Sequence, residues 1–179
     1  MVAVLVNLRS LWNVGAIFRT ADAAGIENLF LCGTTPAPLD RFGKVRSQLH
    51  KVALGAEQSV PWGKCASASR LITSLKKNGY RIFAIEQSPR AIPYGKISTI
   101  KRSSHSLDLE RCVLVVGNEV RGLPQSILQR CDKILEIPMH GKLIRHRNHP
   151  RESGQGKESL NVAVAFGIVA FHLIYVSKV

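Results

Sequence analysis

The segment "NVGAIFRTADAAG" (Asn13 to Gly25) places Arg19 beside Phe18, Thr20 and Ala21, on a helix turn that packing would ordinarily occupy. A guanidinium stays protonated in proteins, so Arg19 is a poor general base and a good anion clamp. The plainer reading is a surface ion pair with Asp22 or Glu27. Asn13, six residues earlier, can cap the helix. Two further stretches, "VVGNEVRGLP" and "IPMHGK", turn directly after apolar runs. In open α/β sheets, ligands bind at the carboxyl ends of strands. Gly117, Gly122 and Gly141 would there let backbone approach a ligand closely, although any one of them taken alone is accounted for by a turn. Glu119 is either a solvated loop carboxylate or a partner that holds Arg19 or the surrounding loops. Ser159 and Asn161 lie two apart where the last apolar segment begins, so that one can cap a helix while the other points into a site.

Some chemistries are disfavoured by the same residues. No G-x-G-x-x-G loop joins the first apolar run to the first helix, and no Walker A lysine loop is present. Cys32, Cys65, Cys112 and Cys131 are scattered, without a C-x-x-C pair. His146 and His149 sit three apart in a basic loop and read as solvated, so no metal is expected.

Short apolar runs alternate with helical patterns, which predicts an α/β fold with a mostly parallel sheet flanked by helices. "VAVLV" (Val2 to Val6) is the first strand. Asn13 to about Ala24 is the first helix, ended by Gly25. "NLFLC" (Asn28 to Cys32) is the second strand. Residues 33–63 read as one long polar loop, of a length that is usually functional or mobile. "SASRLITSLKKNGY" has helical spacing, and "RIFAIE" (Arg81 to Glu86) is the third strand. Residues 88–109 are polar and weakly patterned. "CVLVVG" (Cys112 to Gly117) has no polar face and should be central and buried on both sides. Pro124 suits the first turn of a short helix ending near Arg130. "KILEIPM" is the last strand, and residues 159–176 the last helix.

At 179 residues the chain suits one domain, 1–179. Lysine and arginine outnumber aspartate and glutamate by 25 to 12, a formal charge of +13 that favours a polyanionic partner, nucleic acid first and anionic membrane second. Cysteines so scattered predict a reduced, cytoplasmic setting. The N-terminus lacks the basic region and cleavage site of a signal peptide. "LNVAVAFGIVAFHLIYV" is slightly short for a membrane span and contains Asn161 and His172, so it reads as a core or interface helix.

Three blocks occur in order: "NVGAIFRTA", "VVGNEVRGL", and "IPM" followed by "SLNVAVA". In that order the chain resembles the SpoU (TrmH-like) RNA ribose 2′-O-methyltransferases of the SPOUT superfamily, over nearly its whole length. The resemblance implies a SPOUT fold with a deep trefoil knot at the C-terminal end of the sheet, and a homodimer. It implies S-adenosylmethionine as methyl donor, with S-adenosylhomocysteine as product, and tRNA or rRNA as substrate. The donor would be held around Val116, Gly117, Asn118, Gly122, Ile137, Met139, Gly141, Ser159 and Leu160. Methyl transfer to a ribose hydroxyl is an in-line displacement that needs positioning and charge stabilisation. Arg19 matches the family's catalytic arginine and would fix the target phosphate and stabilise the alkoxide. Asn13, Glu119, Ser159 and Asn161 complete the implied catalytic group. Arg41, Lys44, Arg46, Lys51 and Arg145, the last within the basic run 142–151, are expected on the RNA backbone, where contacts carry affinity but no sequence information.

"LIRHRNHPRESGQG" (residues 143–156) interrupts the third block, where family members usually run straight on. It reads as an RNA-contacting flap, a bulge without a role, or an insertion that weakens donor binding. The last leaves a second reading open, a SPOUT-fold RNA-binding protein whose catalysis has weakened. Methylation of a base nitrogen is a third, which the ribose-branch blocks disfavour.

Overall fold

The computed structural model describes residues 1–97, 111–139 and 159–178. Along the chain run β1 (Val2–Val6), α1 (Leu11–Ala24), β2 (Asn28–Cys32), α2 (Ser47–Ala53), α3 (Ala56–Ser59), β3 (Trp62–Cys65), α4 (Ala68–Lys77), β4 (Arg81–Ile85), β5 (Ile92–Pro93), β6 (Cys112–Val116), α5 (Gln125–Leu128), β7 (Lys133–Glu136) and α6 (Val162–Lys178). The strands form one seven-stranded sheet in the order β3-β2-β1-β6-β4-β7-β5, and every pairing is parallel. β6 occupies the middle, and all five of its residues are buried, as its unbroken apolar run requires.

Strand alternation divides the core into two layers. Ala3, Leu5, Leu114, Val116 and Phe83 face α1 and α6, whose Ile17, Phe18, Phe166 and Leu173 are fully enclosed. Val2, Val4, Val113, Val115 and Ala84 face the other way, onto Ile72 and Leu75 of α4 and Ile127 of α5. Burying a side chain of this size stabilises by about 1.5–3 kcal/mol.

Local signals set the boundaries, not always where the pattern placed them. The cap of α1 is Ser10, whose Oγ accepts the Asn13 N–H at 3.3 Å; Asn13 lies inside the helix and is not its cap. Gly25 closes α1, its N–H reaching the Ala21 and Asp22 carbonyls. The stretch 33–63 is not one loop. It holds α2 and α3 and enters β3, an edge strand whose partial exposure removes the apolar alternation that would announce it. β5 was likewise hidden, because Ile92–Pro93 is a two-residue edge pairing, and an edge is where proline's missing N–H is tolerated. β7 ends at Glu136, before Met139. Pro124 stands one residue ahead of α5, and α6 runs from Val162 to Lys178. Among the described residues no helix is long and apolar enough to cross a membrane.

Candidate functional site

Parallel pairing puts the carboxyl ends of β1, β6, β4 and β7 on one side of the sheet, and a cleft of about 430 Å³ opens there. It is lined by the turn after β6, the residues after β4 and β7, and the entry to α6.

The β6 turn is tightly bound. Asn118 Oδ1 accepts the backbone N–H groups of Val120 (3.0 Å) and Arg121 (2.9 Å), its Nδ2 donates to the Asn7 carbonyl (2.8 Å), and the Gly122 N–H donates to the Asn118 carbonyl (2.9 Å). Gly117 is required by close approach, since a Cβ there would stand 2.6 Å from Gly122 C and Leu123 N. Beside it, Glu86 accepts the Leu123 N–H at 2.7 Å and fills the space a Gly122 side chain would need.

Glu119 faces the start of α1. Its carboxylate accepts from the Arg9 and Ser10 N–H groups (3.1 and 3.0 Å) and from Asn13 Nδ2 (3.0 Å). It therefore holds the α1 entry and makes no bond to Arg19, where a carboxylate also complements the helix dipole. Burial pushes its carboxyl upward, but the hydrogen bonds from Asn13 and from backbone N–H groups outweigh that and leave it below the ordinary carboxylate value. Asn13 Oδ1 in turn accepts from Asn161 Nδ2 at 3.0 Å, and Asn161 Oδ1 caps α6 by accepting from Ala163 (2.9 Å) and Val164 (3.4 Å). A continuous chain Glu119–Asn13–Asn161 so joins segments about 150 residues apart.

Val116, Gly117, Asn118, Glu119, Gly122, Ile137, Met139, Ser159, Leu160, Asn161 and Asn13 all line the cleft. Met139 and Leu160 leave apolar surface open on it. Arg19 does not line it. The guanidinium is exposed on the stripe of α1 that carries Trp12 and Ala16, and no described residue bonds it. The two carboxylates expected to pair with it are engaged elsewhere, Asp22 with Ser59 Oγ (2.6 Å) and Glu27 with the N-terminal ammonium (2.6 Å). Arg41, Lys44 and Lys51 are exposed outside the cleft, and Arg46 precedes α2 with its Nε buried. Gly141, Arg145 and the 143–156 segment lie outside the described residues.

Glu86 and Glu136 also line the cleft and were not singled out from sequence; their one available signal was a carboxylate at a strand's carboxyl end. With Glu119 they make three glutamates, and no described lysine or arginine joins them, in a chain of net charge +13. Burial pushes the Cys32 thiol up to about 12 and the Cys131 thiol up to about 11, so neither is a thiolate nucleophile. No group of His, Cys, Asp and Glu among the described residues could hold a metal.

Residues 1–144 match the model of the SpoU rRNA Methylase family. The chain is 28% identical over 175 residues to the 23S rRNA (guanosine-2′-O-)-methyltransferase RlmB of Xanthomonas axonopodis pv. citri, a match that covers 97% of this chain and 58% of that protein. The chain thus spans little more than half the length of that relative. Among solved structures it is similar to the A. aeolicus TrmH/SpoU tRNA modifying enzyme (TM-score 0.73, 24% identity, 99% of this chain and 75% of that one). It is also similar to the AdoMet-bound rRNA methyltransferase from Sinorhizobium meliloti (TM-score 0.73, 25% identity, 96% and 54%).

Proposed function

The chain belongs to the SpoU rRNA methylase family, and from that premise we propose that it transfers a methyl group from S-adenosylmethionine to a ribose 2′-hydroxyl of tRNA or rRNA. The observation that carries this reading is the charge of the cleft. A strongly basic protein that bound phosphates in its cleft would line it with lysine and arginine, whereas the charged groups of the lining, among the described residues, are Glu86, Glu119 and Glu136. Such a lining suits a cationic sulfonium ligand and leaves the RNA backbone to the basic exterior.

The residues fit that donor. Gly117 keeps open a cradle that a Cβ would fill, and Ile137, Met139 and Leu160 offer apolar surface for a flat base. When bound, S-adenosylmethionine supplies an electrophilic methyl group. Asn13, Ser159 and Asn161 border the same cleft and position the hydroxyl that receives it. Arg19 fixes the target phosphate and stabilises negative charge developing on the ribose oxygen. Glu119 holds the α1 entry on which that alignment depends.

Arg19 reaches the chemistry in a homodimer. Trp12, Ala16 and Arg19 share one stripe of α1, and Val164, Ile168, Phe171 and Tyr175 share one of α6, spaced i, i+4, i+7 and i+11. The two helices pack together and leave Trp12, Val164, Phe171 and Tyr175 exposed, an apolar face suited to a second copy. The fold closes with a deep trefoil knot, a reading supported by the Glu119–Asn13–Asn161 chain that links the start of α6, through Asn13 of α1, to the β6 turn.

The test is calorimetry with S-adenosylhomocysteine, followed by transfer of a labelled methyl group to bulk tRNA and rRNA. Stoichiometric binding and label recovered as 2′-O-methylribose are expected. RNA binding without donor binding would favour the weakened RNA-binding reading, and label on bases would overturn the ribose assignment.

A further inference from the structure

Residues 38–46 ("PLDRFGKVR") form a small, rigid finger. Leu39 and Val45 pair as an antiparallel bridge, the Asp40 N–H donates to the Lys44 carbonyl (2.8 Å), and the Arg46 N–H donates to the Pro38 carbonyl (2.8 Å). At the tip, Asp40 Oδ1 accepts the N–H groups of Phe42 (2.8 Å) and Lys44 (2.9 Å), which locks the turn from within. The root is equally fixed. The buried Thr35 hydroxyl donates to the Leu5 carbonyl and accepts the Leu8 N–H, and Lys64 Nζ donates to the Gly33 and Thr35 carbonyls.

A rigid turn that displays a large apolar ring calls for an explanation. Phe42 is 73% exposed, and the Arg41 guanidinium carbon lies 4.6 Å from its ring centroid. Leaving such a ring in water forgoes the stabilisation its burial would bring. Between Pro38 and Ala53 the chain carries Arg41, Lys44, Arg46 and Lys51 against a single carboxylate, Asp40, which the turn itself occupies. An apolar protein partner would not call for four cations, whereas a polyanion offering flat π-faces would use both features. Base faces are available in RNA only where nucleotides are unpaired, because duplex stacking hides them. The finger leaves the carboxyl end of β2, and the sheet is parallel, so it stands on the same side of the sheet as the cleft.

We infer that Phe42, backed by Arg41, is a stacking platform for an unpaired base, so that the RNA ligand of this protein presents single-stranded nucleotides. The inference rests on the reading of the chain as acting on RNA. It adds a recognition element outside the cleft, with Lys44, Arg46 and Lys51 following the adjoining phosphates.

The test compares wild type, Phe42→Ala, Phe42→Trp and Phe42→Leu by fluorescence anisotropy. The probes are a labelled mixed-sequence single-stranded RNA, its fully paired duplex, and the single strand carrying abasic sites. Phe42→Ala is expected to weaken single-strand binding about fivefold to a hundredfold and leave duplex binding unchanged. Phe42→Trp is expected to retain affinity, and abasic RNA to bind wild type and Phe42→Ala alike. Equal losses on strand and duplex, no loss at all, or a Phe42→Leu protein that binds like wild type would each overturn the platform. Phe42 is exposed, so the thermal midpoint should not move, and S-adenosylhomocysteine affinity serves as a second check on the fold. The proposed activity fails separately: wild type that binds RNA but transfers no methyl group sinks the activity and leaves the platform standing. Wild type that binds no RNA sinks both.

Discussion

Glu119 shows how one side chain can serve structure and site together. Its carboxylate ties the β6 turn to the α1 entry and aligns Asn13, which in turn holds Asn161. Its folded-state pKa lies below the ordinary value of 4.5. The stabilisation it contributes is therefore full above that value and is lost as pH falls through the lower folded pKa. Glu119→Gln should accordingly lose less stability than wild type between neutral and acid pH, and urea unfolding at several pH values checks it. Arg19 calls for a different readout. Its exposure and lack of any bond among the described residues mean that Arg19→Ala should leave stability and donor affinity unchanged. Turnover should fall by about two to three orders of magnitude, the usual scale for removing one charge-stabilising donor, as read in single-turnover methyl transfer.

At the scale of elements, the site is made of helix entries and strand exits. Ser10 caps α1 beside the Glu119 contact, so Ser10→Ala should cost about 1 kcal/mol in urea unfolding and loosen the Asn13 side of the cleft. Gly117→Ala should do more. Its Cβ would meet backbone at 2.6 Å, which forces the turn to shift by an amount that costs about 1–3 kcal/mol, and S-adenosylhomocysteine binding should weaken more than tenfold in calorimetry. β1, α1, β2, β4 and β6 could be read from the chain because apolar periodicity and turn residues announce them. β3 and α2 could not. Trp62-Gly63-Lys64-Cys65 has no period-two pattern, and its strand state comes from pairing with β2 at the sheet edge.

At the scale of the molecule, charge and one apolar face suggest how the protein meets its partners. With a net charge of +13, RNA affinity should fall steeply and linearly on a log–log salt plot, which anisotropy at several salt concentrations measures. Tyr175 and Val164 lie on the exposed stripe of α6, so Tyr175→Glu should shift the proposed homodimer toward monomer in sedimentation without unfolding it. Turnover should then fall with the dimer while S-adenosylhomocysteine binding persists.

The amino-acid sequence by itself determined the α/β alternation, the buried central strand, the basic balance and three ordered blocks, because these are properties of periodicity, composition and spacing. Through the family resemblance it grouped Asn13, Glu119, Ser159 and Asn161 with Arg19 in one expected site. Only the tertiary structure decided that Glu119 grips the α1 entry, that Asn13 is its partner rather than the helix cap, and that Arg19 is exposed and does not line the cleft. Hydrogen bonds between residues more than a hundred positions apart are set by parallel strand order, which superposes the loops at one end of the sheet, and no local pattern encodes that meeting.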